Sequence, residues 1–207
     1  CHYDAWAFGT VDPNSGTAML LTLADALGKL AAEGHRPKRS IKIGHWDAEE
    51  INIIGSTEWV EQLREEITEK AIAYVNADMA AGGPNFGSAS APALKRPIIE
   101  ATKAVAYPGS DQTVYEHWRK DAEEPSLGNL GGGSDHIPFY MHVGVPSAGM
   151  TMSAFSPYHT NYDDFAWYER FSDPEFTAGP TVACINGVLA SRLANADVIP
   201  YDLPRYA

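Results

Sequence analysis

The chain has 207 residues, of which 44% are hydrophobic, so it is long enough for one sizeable core and we expect a single domain. Its formal net charge of −12 argues against a nucleic-acid partner, because phosphate binding requires a basic face. No apolar run approaches the length of a membrane span, and two cysteines, Cys1 and Cys184, cannot form a disulfide framework.

The first half of the chain predicts alternating helices and strands. Leucine and methionine recur at helical spacing over residues 15–33, and Gly34 ends this helix. Residues 40–45 predict a strand, since they contain two β-branched isoleucines and follow an Arg-Pro pair. A helix over residues 57–70 opens with a capping residue and an acidic first turn, and the apolar run 71–75 predicts a second strand.

The second half continues the alternation after a segment of small residues. Residues 80–92 are rich in Gly, Ala, Ser and Pro and predict a loop. The remaining predicted elements are helices over 95–107, 113–120 and 136–142, a strand over 145–152 and a closing helix over 176–195. This alternation predicts an α/β fold, a three-layer sandwich in which a mostly parallel central sheet carries helices on both faces.

Two adjacent carboxylates follow the first predicted strand. Glu49 and Glu50 end the run Trp46-Asp47-Ala48-Glu49-Glu50, and open α/β sheets place their ligand sites at the carboxyl ends of strands. Neighbouring negative charges repel each other unless a cation lies between them, so a metal ion would stabilise the pair. Taken alone, however, the pair favours the simpler interpretation of a solvated acidic loop.

Histidines and further carboxylates elsewhere in the chain favour the metal hypothesis. His2 and Asp12 stand near the start, Asp78 follows the second predicted strand, and the segment 158–164 supplies a second histidine and two carboxylates. Imidazole and carboxylate ligands without thiolates suit zinc, manganese or cobalt. Structural zinc sites use closely spaced thiolates, so this dispersed, oxygen-rich set predicts a catalytic metal site.

Six short motifs are spread along the chain. They are His2-Tyr3-Asp4-Ala5-Trp6, Val11-Asp12-Pro13-Asn14-Ser15-Gly16, Trp46-Asp47-Ala48-Glu49-Glu50, Gly55-Ser56-Thr57-Glu58-Trp59, Val75-Asn76-Ala77-Asp78 and Tyr158-His159. In their order and approximate spacing they resemble the dinuclear zinc exopeptidases, over a stretch from the first residue to about Tyr206. The pattern is most similar to the branch that contains aminopeptidases, glutamate carboxypeptidases and transferrin receptors.

The resemblance implies a pair of Zn²⁺ ions held by five side chains. His2 and Asp78 would hold one ion, Glu50 and His159 would hold the other, and Asp12 would bridge them. A bridging carboxylate keeps two cations roughly 3.5–4 Å apart, a separation at which both can act on one water and one carbonyl.

Three further residues take catalytic roles by the same resemblance. Glu49 would stay free of the metals and act as general base, taking a proton from water and passing it to the leaving amine. Asp4 would orient the imidazole of His2, with the capping of a turn as its alternative role. Tyr158 would donate to the developing oxyanion, with simple packing as the alternative.

Other positions are interpreted by comparison with the same family. A cis peptide bond is predicted between Asp12 and Pro13, because relatives aim the bridging carboxylate in this way. Glu58 and Glu61 resemble a structural Ca²⁺ site, although a solvated helix face explains them equally well. The histidines outside the motifs are interpreted as surface or packing residues: His35, His45, His117, His136 and His142.

The predicted substrate site departs from the glutamate-specific members of the family. Those members hold the substrate with arginines just upstream of the final histidine ligand, and residues 147–155 contain none, which argues against glutamate specificity. Methionine and phenylalanine in this segment suggest an apolar pocket, unless they belong to the core. Gly132, Gly133 and Ser134 match a loop that lines the site in relatives and that Asp135 would brace, with a merely flexible loop as the alternative.

The sequence thus predicts a zinc exopeptidase acting on a peptide substrate, as either an aminopeptidase or a carboxypeptidase. The main alternative is a receptor-like or scaffold domain that keeps the fold without catalysis. A third is a competent ligand set in a fragment that cannot bind metal by itself.

The resemblance also implies a larger parent protein. We expect residues 1–207 to be one truncated catalytic domain, without the protease-associated insert and the C-terminal helical dimerisation domain of the family. The parent is expected to be a homodimer and extracytoplasmic (secreted, periplasmic or membrane-anchored), although this chain carries no signal peptide. No membrane contact is expected from this segment.

Overall fold

A sheet built around one central strand organises the computed structural model, which describes residues 1–207. The elements in chain order are α1 (Gly16–Ala32), α2 (Ile54–Gln62), α3 (Arg64–Lys70), β1 (Tyr74–Asn76), β2 (Ala81–Gly82), β3 (Asn85–Ser90), α4 (Lys95–Thr102), α5 (Val114–Arg119), β4 (Ser147–Ser153), α6 (Phe165–Trp167) and α7 (Ala178–Asn195). None of these helices combines the length and the apolar character needed to cross a membrane.

Strand β4 is the central strand and pairs with all the others. It runs parallel to β1, with Tyr74 opposite Ser147, and parallel to β2, with Ala81 opposite Met152. Strand β3 pairs with it in the antiparallel direction over all six of its residues. The parallel pairs confirm the predicted sheet, and they bring the end of β1 to the same edge as the segments that carry the candidate ligands.

Hydrophobic side chains pack on both faces of the sheet. Along β1, Val75 packs against a large cluster and Tyr74 against a smaller one, because neighbouring side chains on a strand point to opposite faces. The large cluster joins α1, α4 and α7 to Met150 and Met152 of β4. The smaller cluster joins α2 and α3 to Trp46. Helices therefore flank the sheet as predicted.

Most of the predicted elements are confirmed, with small differences at their ends. The ranges predicted for α1, α5, α7 and β4 agree with the structure to within two residues at each end. The helix predicted over 57–70 bends at Leu63, where φ is −108°, and so divides into α2 and α3. The helix predicted over 95–107 ends early with α4, because Val114 N donates to Val105 O and the chain leaves the helix to make this bond.

Tertiary pairing overrides the local pattern in two segments. The prediction of a loop over 80–92 was wrong, because β2 and β3 form there by pairing with β4, which the small-residue composition does not reveal. The prediction of a strand over 40–45 was also wrong. The residue that follows this segment, Trp46, forms an isolated bridge instead: it accepts a hydrogen bond from Tyr3 N and donates one to Cys1 O, at 3.0 Å each.

Candidate metal centre

Four loop segments meet beyond the carboxyl end of β1, where Asp78 lies. They are the first residues of the chain, the turn before α1, the turn before α2 and the loop after β4. The turn before α1 holds Asp12, and its peptide bond to Pro13 is cis, as predicted. Ala48 and His159 adopt left-handed backbone conformations, with φ of 55° and 57°. Such strained backbone is typical of residues that a functional site holds in place.

One group of side chains surrounds the imidazole of His2, which is buried. Its Nε2 atom lies 3.1 Å from Asp78 Oδ1, 3.4 Å from Asp12 Oδ1 and 3.7 Å from Glu49 Oε2. His2, Glu49 and Asp78 each offer one ligand atom close enough together to hold a metal ion. Glu49, which was predicted to stay apart from the metals, therefore lies within this group.

A second group lies around the imidazole of His159. Its Nε2 atom is 3.0 Å from Asp12 Oδ2 and 3.1 Å from Glu50 Oε2. These three residues also lie close enough together for each to offer an atom to one ion. His159 is exposed whereas Asp12 is buried, so this second group opens toward solvent.

Asp12 connects the two groups. Its Oδ1 atom faces His2 and its Oδ2 atom faces His159, as a bridging carboxylate must. Glu50 Oε1 is buried and accepts no hydrogen bond, and the same holds for Asp12 Oδ2, because the 3.0 Å contact with His159 Nε2 lacks hydrogen-bond geometry. Leaving such atoms unpartnered is costly, and cations between the carboxylates would satisfy them. Two imidazoles and several carboxylates are a donor set that fits zinc.

Burial and the neighbouring carboxylates shift the pKa values of His2 and Glu49. Burial alone would lower the pKa of His2, but hydrogen bonds to Asp12 and Asp78 raise it to about 11. Burial raises the pKa of Glu49 to about 8, reinforced by Asp78 and opposed by His2. The same negative potential attracts a metal cation, and because a metal binds the neutral imidazole, a proton and a metal compete for His2.

Asp4 contacts the imidazole of His2 through its backbone oxygen and the backbone of Glu49 and Glu50 through its carboxylate. His2 Nδ1 lies 2.9 Å from the backbone oxygen of Asp4 and 3.5 Å from its carboxylate. The carboxylate instead accepts hydrogen bonds from Glu49 N and Glu50 N, both at 3.1 Å. The backbone of Asp4 thus orients the imidazole, whereas its side chain fixes the turn that carries the glutamates.

Asp163, one of the two carboxylates of segment 158–164, also lies in this region, and no individual role was predicted for it. Its carboxylate accepts hydrogen bonds from Val11 N at 2.8 Å and Asp12 N at 3.1 Å. The only sequence signal was its position in an acidic pair four residues after His159. Its contact with Asp12 spans 151 positions of the chain, which no local pattern predicts.

A chain of hydrogen bonds leads from the aromatic cluster to Asp78. Trp46 Nε1 donates to Tyr74 Oη at 3.1 Å, and that hydroxyl donates to Asn76 Oδ1 at 3.0 Å. Asn76 Nδ2 then donates to Ser134 Oγ at 2.8 Å, and Ser134 donates to Asp78 Oδ2 at 2.7 Å. Ser134, predicted to contact substrate, is therefore buried behind a candidate ligand and directs its hydroxyl to that ligand.

Comparison with known families identifies the family of the chain. A model described as peptidase family M28 matches residues 1–172. The chain belongs to peptidase family M28. The resemblance found in its six motifs is thereby confirmed.

Curated relatives of this M28 chain carry the names of two kinds of exopeptidase. The "Probable glutamate carboxypeptidase LAMP1" of Arabidopsis thaliana is 45% identical over 209 residues, covering 100% of this chain and 31% of the relative. The "Aminopeptidase NAALADL1" of Mus musculus is 34% identical over 226 residues, covering 100% of this chain and 30% of the relative. This chain thus spans less than a third of the length of either relative.

Solved structures confirm the predicted fold. The aminopeptidase from Aneurinibacillus sp. strain AM-1 superposes with a TM-score of 0.70 at 23% identity, covering 96% of this chain and 43% of that one. BSAP, a zinc aminopeptidase from Bacillus subtilis, superposes with a TM-score of 0.64 at 21% identity, covering 97% of this chain and 47% of that one.

The glycine loop of this M28 chain lies beside the candidate metal centre. Gly132 and Gly133, predicted to line the substrate site, are exposed, and Gly133 has a φ of 88° that favours glycine. Asp135 braces the loop as predicted, because its buried carboxylate accepts a hydrogen bond from Ser56 of α2 at 2.6 Å. His136 closes the loop through a 2.8 Å contact between its Nε2 atom and the backbone oxygen at position 131.

Aromatic rings flank His159 at the open side of the site. Tyr158 stacks on it with ring centroids 3.6 Å apart, and Trp6 lies edge-on at 6.4 Å. Burial and the nearby carboxylates, chiefly Asp12 and Glu50, raise the pKa of Tyr158 to about 12. Its hydroxyl stays protonated at neutral pH, as it would at the ordinary tyrosine pKa of about 10, and can donate a hydrogen bond.

Two other expectations find no support in the M28 chain. Glu58 and Glu61 are both exposed on α2, and the side chains close enough together to hold a metal ion include neither, so the calcium site is not supported. Met150 and Met152 are buried in the core, so they do not form an apolar substrate pocket. Phe155, by contrast, is 79% exposed.

Proposed function

We propose that this chain is the catalytic part of a dinuclear zinc exopeptidase, which hydrolyses the terminal bond of a peptide. The observation that carries this proposal is Asp12, whose two buried oxygens face His2 on one side and His159 on the other. Membership of peptidase family M28 and the names of the relatives support a peptide as substrate.

The proposed ligand sets follow the distances around the two imidazoles, where His2 Nε2 lies 3.1 Å from Asp78 and His159 Nε2 lies 3.1 Å from Glu50. His2 and Asp78 would hold one zinc ion, Glu50 and His159 would hold the other, and Asp12 would bridge them. The unpartnered oxygens of Asp12 and Glu50 support this assignment, since a cation would satisfy both.

Glu49 is the proposed general base. Two zinc ions would supply Lewis acidity, which polarises the scissile carbonyl and makes water easier to deprotonate. Glu49 takes a proton from the attacking water as the water oxygen bonds to the carbonyl carbon. It then gives the proton to the amine as the carbon–nitrogen bond breaks. Its Oε2 atom lies 3.7 Å from His2 Nε2, beside the proposed metals, and Glu49 is buried, so its carboxylate stands next to the place where the attacking water would be held.

Metal content and peptide hydrolysis together test the proposal. We expect about two zinc ions per chain by elemental analysis, with loss of metal in Glu50→Gln because that variant removes a charged ligand. Glu49→Gln should retain metal but lose about 10²–10⁴-fold in kcat, because the base is removed. Glu65→Gln, at an exposed position of α3, is the matched control and should change neither property.

The outcomes separate this proposal from its alternatives. Zinc binding without hydrolysis of any peptide, from either terminus, would favour a receptor-like or scaffold domain. Full activity in Glu49→Gln would contradict the proposed base while leaving the metal centre intact.

A further inference from the structure

Asp163 is a buried carboxylate whose hydrogen bonds go to the backbone of one turn. It is 2% exposed, and its two oxygens accept from two consecutive amides, Val11 N and Asp12 N. Its own backbone oxygen accepts from Thr10 N at 3.0 Å. Three contacts therefore tie the turn before α1 to this one residue.

The charge of Asp163 has no ionic partner. No lysine, arginine or histidine nitrogen lies within salt-bridge distance of it, so the two amides are what stabilise the buried negative charge. Burying a carboxylate beside another acid, Asp12, is costly unless hydrogen bonds offset it, and here both compensating side-chain bonds come from the turn that carries Asp12. The contact therefore connects this carboxylate to the adjacent metal centre.

Asp163 belongs to the same loop as one candidate metal ligand and contacts the turn that carries another. The loop is the one that carries His159, and the backbone N of Asp163 donates to the backbone oxygen of Thr160, the residue after His159, at 3.1 Å. Its carboxylate thus links the histidine of the second metal group to the turn that carries Asp12. Asp4 makes the same kind of link on the other side, holding two consecutive amides at Glu49 and Glu50.

We propose that Asp163 is a positioning residue that holds the turn of Asp12 against the loop of His159, so that the Asp12 carboxylate reaches both metals. This inference rests on the proposed dinuclear site. Without the two hydrogen bonds, the amides of Val11 and Asp12 lose their acceptors and the turn is free to rotate. The Asp12 carboxylate would then no longer be held where it faces both His2 and His159, and the site would bind metal less tightly.

The test compares two neighbouring substitutions of the same kind. In Asp163→Asn, an amide NH₂ replaces one acceptor oxygen and cannot accept from the backbone N–H that faces it. The matched control is Asp164→Asn, because Asp164 Oδ1 accepts from Trp167 N at 2.7 Å and caps α6 without touching Asp12. We expect zinc affinity, measured by competition with a chromophoric chelator, to fall about 10–100-fold in Asp163→Asn. It should remain within about twofold of wild type in Asp164→Asn.

Cobalt substitution provides a readout that a loss of general stability would not change. The visible absorption bands of cobalt-loaded protein report ligand geometry, and we expect them to shift in Asp163→Asn but not in Asp164→Asn. If Asp163→Asn does not fold, Asp163→Glu serves instead. It keeps the charge and both acceptor oxygens but displaces them by one methylene, so the bands should shift while two metals remain bound.

Three results would overturn the inference. Wild-type affinity and bands in the Asp163 variants would show that the contact does not position the ligand. Equal weakening in Asp164→Asn would indicate a general effect of the loop. An absence of metal in the wild-type chain would overturn the proposed function as well, which distinguishes the failure of that proposal from the failure of this one.

Discussion

The hydroxyl of Tyr74 links the aromatic cluster to the metal centre. It accepts from Trp46 and donates to Asn76, while its ring stacks on Phe139 with centroids 3.9 Å apart. The far end of this hydrogen-bond chain is Asp78 Oδ2, held by Ser134. A buried network of this kind is stabilising only when every member keeps its partner.

Tyr74→Phe tests this network at the scale of one residue. The variant keeps the stacked ring but leaves the indole N–H and the amide oxygen of Asn76 without a partner. We expect the free energy of unfolding to fall by about 1–3 kcal/mol in urea denaturation. Tyr115→Phe, whose hydroxyl donates to Glu123 O at the surface, should cost about 0.5 kcal/mol or less. Equal costs in the two variants would show that the buried network adds nothing.

At the scale of elements, the start of α1 is pressed against the end of β1. A Cβ atom on Gly16 would lie 1.6 Å from Ala77 O and 2.5 Å from Asp78 O. Only glycine permits this approach, which holds the helix against the residue that carries a candidate ligand. Gly28, in the same helix, has no atom near the position of its missing Cβ.

The two glycines give a matched pair of substitutions. Gly16→Ala should destabilise the fold by about 1–3 kcal/mol or more, because the backbone of residues 77–78, which follows β1, must move to make room. It should also weaken zinc binding through Asp78. Gly28→Ala should be neutral or stabilising by about 0.5–1 kcal/mol, since alanine favours a helix. Thermal unfolding of both variants is the measurement. An unchanged unfolding midpoint in Gly16→Ala would show that the backbone around Gly16 leaves room for a methyl group.

At the scale of the whole molecule, the pH dependence of stability depends on titratable groups in the candidate metal centre. The pKa values of His2 and Glu49 are both raised, to about 11 and about 8. In each case the folded, metal-free protein holds a proton more tightly than the unfolded chain does. The contribution of Glu49 to the free energy of unfolding is therefore fully present below about pH 4.5 and is lost as the pH rises through 8. The contribution of His2 is fully present below about pH 6.5 and is lost as the pH rises through 11.

The metal-free protein should consequently become less stable between pH 6 and pH 9. We expect its unfolding midpoint in urea to fall over this range, and to fall less in Glu49→Gln, which cannot titrate. Over the same pH range, the unfolding midpoint of the zinc-loaded protein should fall less than that of the metal-free protein, or should rise. The reason is that zinc replaces the protons of the site and binds more tightly at higher pH. A rise in the midpoint of the metal-free protein would contradict the raised pKa values.

The elements predicted correctly are those that a local pattern determines. Helices α1 and α7 have apolar residues at helical spacing over many turns, so they form wherever the chain is folded. Strand β3 has no such pattern, since Phe86 is the only large apolar side chain in residues 85–90 and the others are small or polar. It forms because β4 offers an unpaired edge, which depends on parts of the chain about 60 positions away.

The sequence by itself determined the kinds of ligand and their approximate place, since histidines and carboxylates at strand ends indicate a metal centre without reference to contacts. Only the tertiary structure decided which oxygen of Asp12 faces which histidine, and that Asp4, Ser134 and Asp163 hold the ligands by hydrogen bonds. The physical reason is distance along the chain. A residue type and its neighbours are local properties, whereas the bond from Val11 N to Asp163 spans 152 positions and exists only after folding.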